Sequence, residues 1–334
     1  MDEVKKIVSD IKKGAFKPIY FLMGEEPYYI DKITEFIESN VLSEEEKGFN
    51  QMVLYGKDVS VEDIVANAKR YPMMAERQVV IVKEAQHLTR TIDKLESYAS
   101  NPQPTTVLVF CYKYKTLDKR KKVTKTLAKN GLVFESKKLP EYKVADWIRK
   151  VLAGSGYQIH PKAAEMLVEF LGNDLGRISN ELEKLKLVVP KEQPITPEAV
   201  ETNIGISKDF NNFELKSAIS ERDAQKAFRI INYFVQNPKD NPLVVTIGTL
   251  ANFFIQLLNY HSLSDKSREN VAGVLRVNPF FVKEFANAAR HYPMKKVSYA
   301  IDTLRDIDVR GKGVNNQSAT QGDLLKEMLV KLMY

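Results

Sequence analysis

Cysteine is almost absent, with Cys111 standing alone among 334 residues. That excludes a disulfide framework, a cysteine-ligated zinc site and an iron–sulfur cluster in a monomer. It fits a reducing compartment, and no basic–apolar–small leader points to secretion, so a cytoplasmic protein is expected. Histidine is scarce as well. His87, His160, His261 and His291 are scattered and form no H-E-x-x-H or similar spacing, so no metal or cofactor is expected. A Gly-x-Ser-x-Gly elbow is missing, as are internal repeats and low-complexity tracts. Carboxylates are plentiful, but nothing pairs them for acid–base work. The chain reads as one that binds rather than one that reacts.

What is present is length and apolar mass. With 44% hydrophobic residues, the chain is long enough for two or three domains. Five short apolar runs punctuate the first part: Pro18–Met23, Phe49–Tyr55, Gln78–Lys83, Thr105–Cys111 and Leu132–Glu135. They are continuous rather than alternating, as strands covered on both faces should be. Helical patterns near 27–40, 60–70, 91–99 and 117–130 separate them, with Ser60 and Asp63 as an N-terminal cap. Strands divided by helices predict a parallel α/β sheet over 1–139.

After Leu139-Pro140 the strand signal disappears. Residues 141–154, 161–171 and 174–188 read as helices, the third capped by Asn173 and carrying Leu175, Ile178, Leu182, Leu185 and Val189 on one face. A Pro/Thr linker and a short helix complete a small helical domain over 140–208, and 209–334 reads as a further all-helical domain. Gly311-Lys312-Gly313, in the loop running to Gln317, is expected to stop a helix rather than cradle a phosphate.

The net charge of +7 divides unevenly. It is +4 over 1–139, −1 over 140–208 and +4 over 209–334. Ten Lys and Arg fall between Lys113 and Lys138 against only Asp118 and Glu135. Such a cluster reads either as a solvated helix or as sequence-independent phosphate contact by Lys119, Arg120, Lys121, Lys122 and Lys125. Residues 241–264, by contrast, carry no formal charge. Thr246, Thr249, Asn252, Gln256 and Asn259 recur there at steps of three and four, which argues against a membrane span. An uncharged polar stripe suits either a protein interface or a helix central to its own domain, because an amide costs less to desolvate than an ion.

Two segments stand out. The first apolar run leads into Gly24-Glu25-Glu26-Pro27-Tyr28-Tyr29-Ile30-Asp31, the position of a phosphate-binding loop. It lacks the second glycine and the Lys-Ser/Thr that phosphates require, and its carboxylates would repel them. The second is Arg70-Tyr71-Pro72-Met73-Met74-Ala75-Glu76-Arg77-Gln78. Pro72 ends a helix at or before Tyr71. The adjacent methionines then either fold back on the core or offer flexible thioethers to a partner's pocket.

The order of PIYFLMGEEPYYIDKI, Phe49-Asn50 opening the second strand, PMMAERQVVIV, GNDLGRISNELEKL and LRVNPFFVKEFANAAR closely resembles the delta subunits of bacterial DNA polymerase III clamp loaders, over essentially the whole chain. The resemblance implies an AAA+-like α/β domain with a degenerate nucleotide loop, a helical lid and a helical collar for oligomerisation. It implies a non-ATPase subunit of the polymerase holoenzyme that binds and helps open the beta sliding clamp for loading onto primed DNA. Its other partners would be ATPase subunits of gamma/tau type and a delta prime-type subunit. The family's clamp-binding element is a hydrophobic pair before the third strand, often Leu-Phe. The matching positions are Met73 and Met74, flanked by Tyr71, Pro72 and Arg77. Thr249, Asn252, Gln256 and Asn259 would then form a subunit interface. The rivals are a stand-alone DNA-binding protein using 113–138 and an active P-loop-like ATPase.

Overall fold

The computed structural model describes residues 2–316 and 318–334. It divides into two compact units, Met1–Leu139 and Pro140–Tyr334. The first contains α1 (Asp2–Lys12), β1 (Ile19–Gly24), α2 (Pro27–Asn40), α3 (Glu44–Asn50), β2 (Gln51–Tyr55), α4 (Val61–Ala68), β3 (Gln78–Lys83), α5 (Glu96–Ser100), β4 (Thr106–Lys113), α6 (Lys122–Asn130) and β5 (Leu132–Ser136). The strands form a single sheet in the order β2-β3-β4-β1-β5, and every pairing is parallel.

Because alternate residues of a strand face opposite sides, the apolar runs supply two cores at once. Phe21, Met23, Val80, Val82, Phe110 and Tyr112 face one side, under Ile64 of α4, Tyr98 of α5 and Leu127 of α6. Tyr20, Leu22, Val79, Ile81, Val109 and Cys111 face the other, under Ile7 of α1 and Ile30, Ile33 and Ile37 of α2. The expected double covering holds for β1, β3 and β4. It fails for β2, an edge strand on which Val53 and Tyr55 remain exposed. Phe49 and Asn50 do not open that strand. They end α3, whose capping box between Ser43 and Glu46 starts a helix without an apolar stripe. The helix expected from 117 begins only at Lys122, and that expected over 91–99 is a 3-10 turn, Ile92–Leu95, followed by α5. The Ser60–Asp63 capping box is present on α4.

The second unit comprises α7 (Val144–Gly154), α8 (Pro161–Leu171), α9 (Leu175–Val188), α10 (Pro197–Ile204), α11 (Asn212–Ser220), α12 (Ala224–Gln236), α13 (Leu243–Ser262), α14 (Arg268–Leu275), α15 (Val282–His291), α16 (Met294–Gly311) and α17 (Gln321–Met333). A parallel bridge between Ile159 and Ile195 is a short exception to its helical character. The cap of α9 is Asp174 rather than Asn173, its carboxylate accepting the Arg177 N–H at 3.0 Å. Leu175, Ile178, Leu182 and Leu185 are buried as the spacing requires, whereas Val189 is half-buried beyond the helix end. Glu169 of α8 caps α11, accepting N–H groups from Asn212 at 2.6 Å and Phe213 at 3.1 Å. Gly311 ends α16, as expected, while Gln317 lies outside the described residues.

Long and apolar enough to cross a membrane by length and composition, α13 nonetheless buries Leu250, Phe253, Phe254 and Leu257 in the core it shares with α16 and α17. Phe254 packs edge-on against Tyr292 at 5.3 Å between centroids. The Tyr292 hydroxyl donates to the carbonyls of Ile219 and Leu332 at 3.1 and 3.2 Å, joining α11 to α17.

Candidate functional site

In a parallel sheet the loops leading into strands and those leaving them lie at opposite edges. The β1–α2 loop is therefore at one edge and the turn from α4 into β3 at the other, about 20 Å away for strands of this length.

The β1–α2 loop is closed from within. Gly24 has φ +132°, and its N–H donates to Lys115 O at 2.9 Å. The Glu26 N–H donates to Ser136 O at 3.2 Å. A P-loop would point such N–H groups at phosphate; here the main chain consumes them. Glu26 is itself buried, and its carboxylate caps α2 by accepting the Tyr28 N–H at 3.0 Å. An internal carboxylate thus stands at the helix N-terminus where a bound phosphate would lie. Glu25 is exposed. Asp31 is paired with Lys113 at 2.6 Å, so this side chain meets a fixed cation rather than a nucleotide's metal. On β4, burial pushes the Cys111 thiol up to about 11, and its sulfur lies 3.2 Å from the Thr34 hydroxyl. It is core, not a nucleophile.

The turn before β3 is the reverse case: its backbone is fixed, and the side chains of Tyr71, Met73 and Met74 face solvent. Tyr71 is exposed, Pro72 is half-buried, Met73 is 55% exposed and Met74 is 104% exposed. Neither methionine folds back on the core. The backbone is held at three places. At the end of α4, Gln78 Nε2 donates to Arg70 O at 2.6 Å and to Thr106 Oγ1 at 2.8 Å, while Thr106 Oγ1 donates to Ala68 O at 2.8 Å. At the start of β3, the Arg77 guanidinium lies over the Phe16 ring at 4.9 Å. Between them, Asn50 reaches across from α3. Its Oδ1 accepts the Met73 N–H at 2.6 Å, and its Nδ2 donates to Met73 O at 2.9 Å. Two such bonds, each worth about 1 kcal/mol net, offset the ~1–2 kcal/mol cost of the left-handed backbone at Met74, where φ is +52°.

The other expected sites fare differently. In the basic stretch, Lys119 pairs with Glu135 at 2.7 Å, Arg120 with Asp118 at 2.8 Å, Lys121 with Asp93 at 2.7 Å and Lys122 with Glu96 at 3.2 Å. Lys125 is exposed and, among the described residues, faces no carboxylate within ion-pair distance. These pairs are solvent-exposed and individually weak, so they leave the cations available to a polyanion at small cost. On α13 the polar stripe splits. Thr246 is buried, and Gln256 donates to Leu275 O at 3.0 Å, inside its own domain. Thr249 is half-buried and bonds Val245 O at 3.1 Å. Asn252 and Asn259 are exposed, alongside exposed Val244, Val245 and Ile255, giving an uncharged outer face.

The contacts of Asn50 are not legible in the sequence, because its partner Met73 lies 23 residues away. A buried amide at the end of an acidic helix carries no local sign of what it bonds.

Residues 20–137 match the family described as DNA polymerase III, delta subunit, and residues 209–330 match the DNA polymerase III delta subunit, C-terminal domain. The chain is 29% identical to DNA polymerase III subunit delta of Bacillus subtilis over 313 residues, covering 90% of each chain. It is 21% identical to the probable DNA polymerase III subunit delta of Aquifex aeolicus over 311 residues, covering 88% of this chain and 86% of the other. Among solved structures, the Bacillus subtilis DNA clamp loader delta protein aligns over 99% of both chains with a TM-score of 0.52 and 27% identity.

Proposed function

Because the chain belongs to the DNA polymerase III delta-subunit family, we propose that it is the clamp-engaging, non-hydrolysing member of its clamp loader. The observation that carries this reading is the Met73–Met74 pair, standing in solvent on a turn whose main chain is bonded down. An exposed apolar pair on a pre-organised backbone has the form of a binding anchor: it loses little backbone entropy on docking and gains by leaving water. The partner is the beta sliding clamp. Partner subunits of gamma/tau and delta prime type supply ATP hydrolysis, and primed DNA passes through the assembly.

In this mechanism ATP-driven rearrangement of the partner subunits presents Met73 and Met74 to an apolar pocket on the clamp. Binding favours the clamp conformation with one interface sprung, by no more than the difference in affinity for the two conformations. The closed β1–α2 loop supports the division of labour, since Glu26 and the Ser136 carbonyl occupy the surroundings a nucleotide would need. Residues 140–208 would be the lid and 209–334 the collar, a division that the family match beginning at residue 209 supports. The uncharged face of α13, with Asn252 and Asn259, would meet a neighbouring subunit there. Lys119, Arg120, Lys121, Lys122 and Lys125 would touch DNA phosphates within the assembly.

The test is capture of immobilised beta clamp by the purified full chain. Met73→Ala/Met74→Ala is expected to weaken it at least about tenfold without loss of folding. Unchanged capture would remove the pair from the mechanism. Tight, steeply salt-dependent DNA binding without clamp capture would favour the stand-alone DNA-binding reading, and ATP hydrolysis by the isolated chain the ATPase reading. Asn252→Glu is expected to impair assembly with the other subunits; normal assembly would take α13 out of the interface.

A further inference from the structure

We infer that Asn50 is a positioning residue for clamp engagement, setting the conformation in which Met73 and Met74 are displayed; this inference rests on the docking role proposed for that pair. Asn50 is 5% exposed and uses both ends of its carboxamide. Its Oδ1 takes the Met73 N–H, and its Nδ2 serves two carbonyls, Met73 O at 2.9 Å and Glu46 O at 3.1 Å. Only an amide offers one acceptor and two donors in this arrangement. The group is anchored from behind as well. Its own helix, α3, is closed at the start by the reciprocal Ser43–Glu46 box and at the end by the Gln51 N–H on Lys47 O. The register of β2 against β3 holds Gln51 beside Val79. Asn50 therefore ties a rigid helix end to both polar groups of a single residue, Met73, directly before the left-handed Met74.

An unsupported turn of this kind would sample many backbone conformations, of which few would present both thioethers outward together. Holding the Met73 peptide in the unbound protein moves that ordering cost from the docking step to folding. Nothing in the contacts of Asn50 requires this for the core: its partners are a helix carbonyl and the turn itself. The side chain acts on the display of the pair.

The experiment compares Asn50→Ala, Met73→Ala/Met74→Ala and the triple variant in the full chain, reading clamp affinity by surface plasmon resonance and exchange of the Met73 amide by NMR. The expected result for Asn50→Ala is a loss of affinity of about five- to tenfold and faster exchange of the Met73 amide. In the double-alanine background, Asn50→Ala is expected to add no further loss, because nothing remains to be positioned. Asn50→Asp is a near-isosteric second variant. It sets a carboxylate against the carbonyls of Met73 and Glu46 and is expected to fail in the same direction. Unaltered Met73 exchange, unaltered affinity, or an equal loss in both backgrounds overturns the inference. If Met73→Ala/Met74→Ala alone leaves capture unchanged, the docking reading falls separately, and the exchange measurement still decides whether Asn50 holds the turn.

Discussion

The carbonyl oxygen of Ser136 lies 2.0 Å from where a β-carbon on Gly24 would stand. The contact is with backbone, which cannot swing aside, and Gly24 adopts φ +132°, a conformation L side chains rarely take. Strand β5 thus presses its end onto the turn that follows β1.

Gly24→Ala should therefore be among the costlier single substitutions in this domain. A loss of about 3 kcal/mol is expected from the combined overlap and backbone strain, measured as a lowered midpoint in urea unfolding. Stability within about 0.5 kcal/mol of the natural chain would mean the turn is free to move away from β5.

Acid should release a specific link between α16 and α17. Arg310 holds Glu327 through two hydrogen bonds, at 2.7 and 2.9 Å, and Lys331 adds a third contact at 2.8 Å. Together they depress the carboxyl from 4.5 to about 2. A carboxylate whose folded value is lowered contributes stability that is complete above its unfolded value and disappears as pH falls through the folded one. The window here runs from about pH 4.5 down to about 2. Because the group is a third exposed, solvent screening reduces the contribution to about 1 kcal/mol. Glu327→Gln should cost that much at neutral pH and progressively less below about pH 4.5, as read by urea unfolding at a series of pH values. A cost that does not change with pH would show that packing, not charge, joins the two helices.

Oxidation should reach the Met73–Met74 turn, and silence its proposed docking role, before it harms the fold. Met73 and Met74 present their thioethers to solvent, whereas the one thiol, Cys111, is buried and stays protonated. Peroxide converts a thioether to a sulfoxide, releasing water, and makes an apolar anchor polar. Mild peroxide treatment is expected to reduce clamp capture several-fold with little change in melting temperature. Met73→Leu/Met74→Leu should resist it. Equal sensitivity of that variant would place the damage at another methionine.

How much of this could be read from the chain varies with the range of the interaction. The strands were legible because a two-sided parallel sheet demands unbroken apolar runs, and Tyr20–Met23, Val79–Val82 and Val107–Cys111 supply them. The Ser60–Asp63 box was legible because a cap is a local contact. The end of α3 was misread because Phe49 and Asn50 look like a strand entrance when the acidic Glu44–Glu46 stretch is taken for loop. The helix α1 lies outside the expected elements, although Val4, Ile7 and Ile11 have helical spacing. On α13, period alone put Thr246, Gln256 and Asn252 in one stripe. The structure gives Thr246 to the core and Gln256 to the Leu275 carbonyl, since the faces of a central helix are set by its neighbours. The closed loop was legible in its chemistry but not its means: glutamates at 25 and 26 warned against phosphate, while the part played by the Ser136 carbonyl depends on strand order.

The filling of the phosphate position by main chain and by Glu26 has a consequence for timing. A domain that can take up and release a nucleotide carries its own clock, with a conformation that changes as the ligand comes and goes. Here the equivalent space is filled by Glu26 and by main chain that belongs to the fold itself. On the proposed division of labour the sheet would carry no clock of its own, and the turn at the far ends of its strands would keep one posture whatever the supply of nucleotide. If that turn is the proposed docking element, the moment at which it meets its target would be set by the partner subunits.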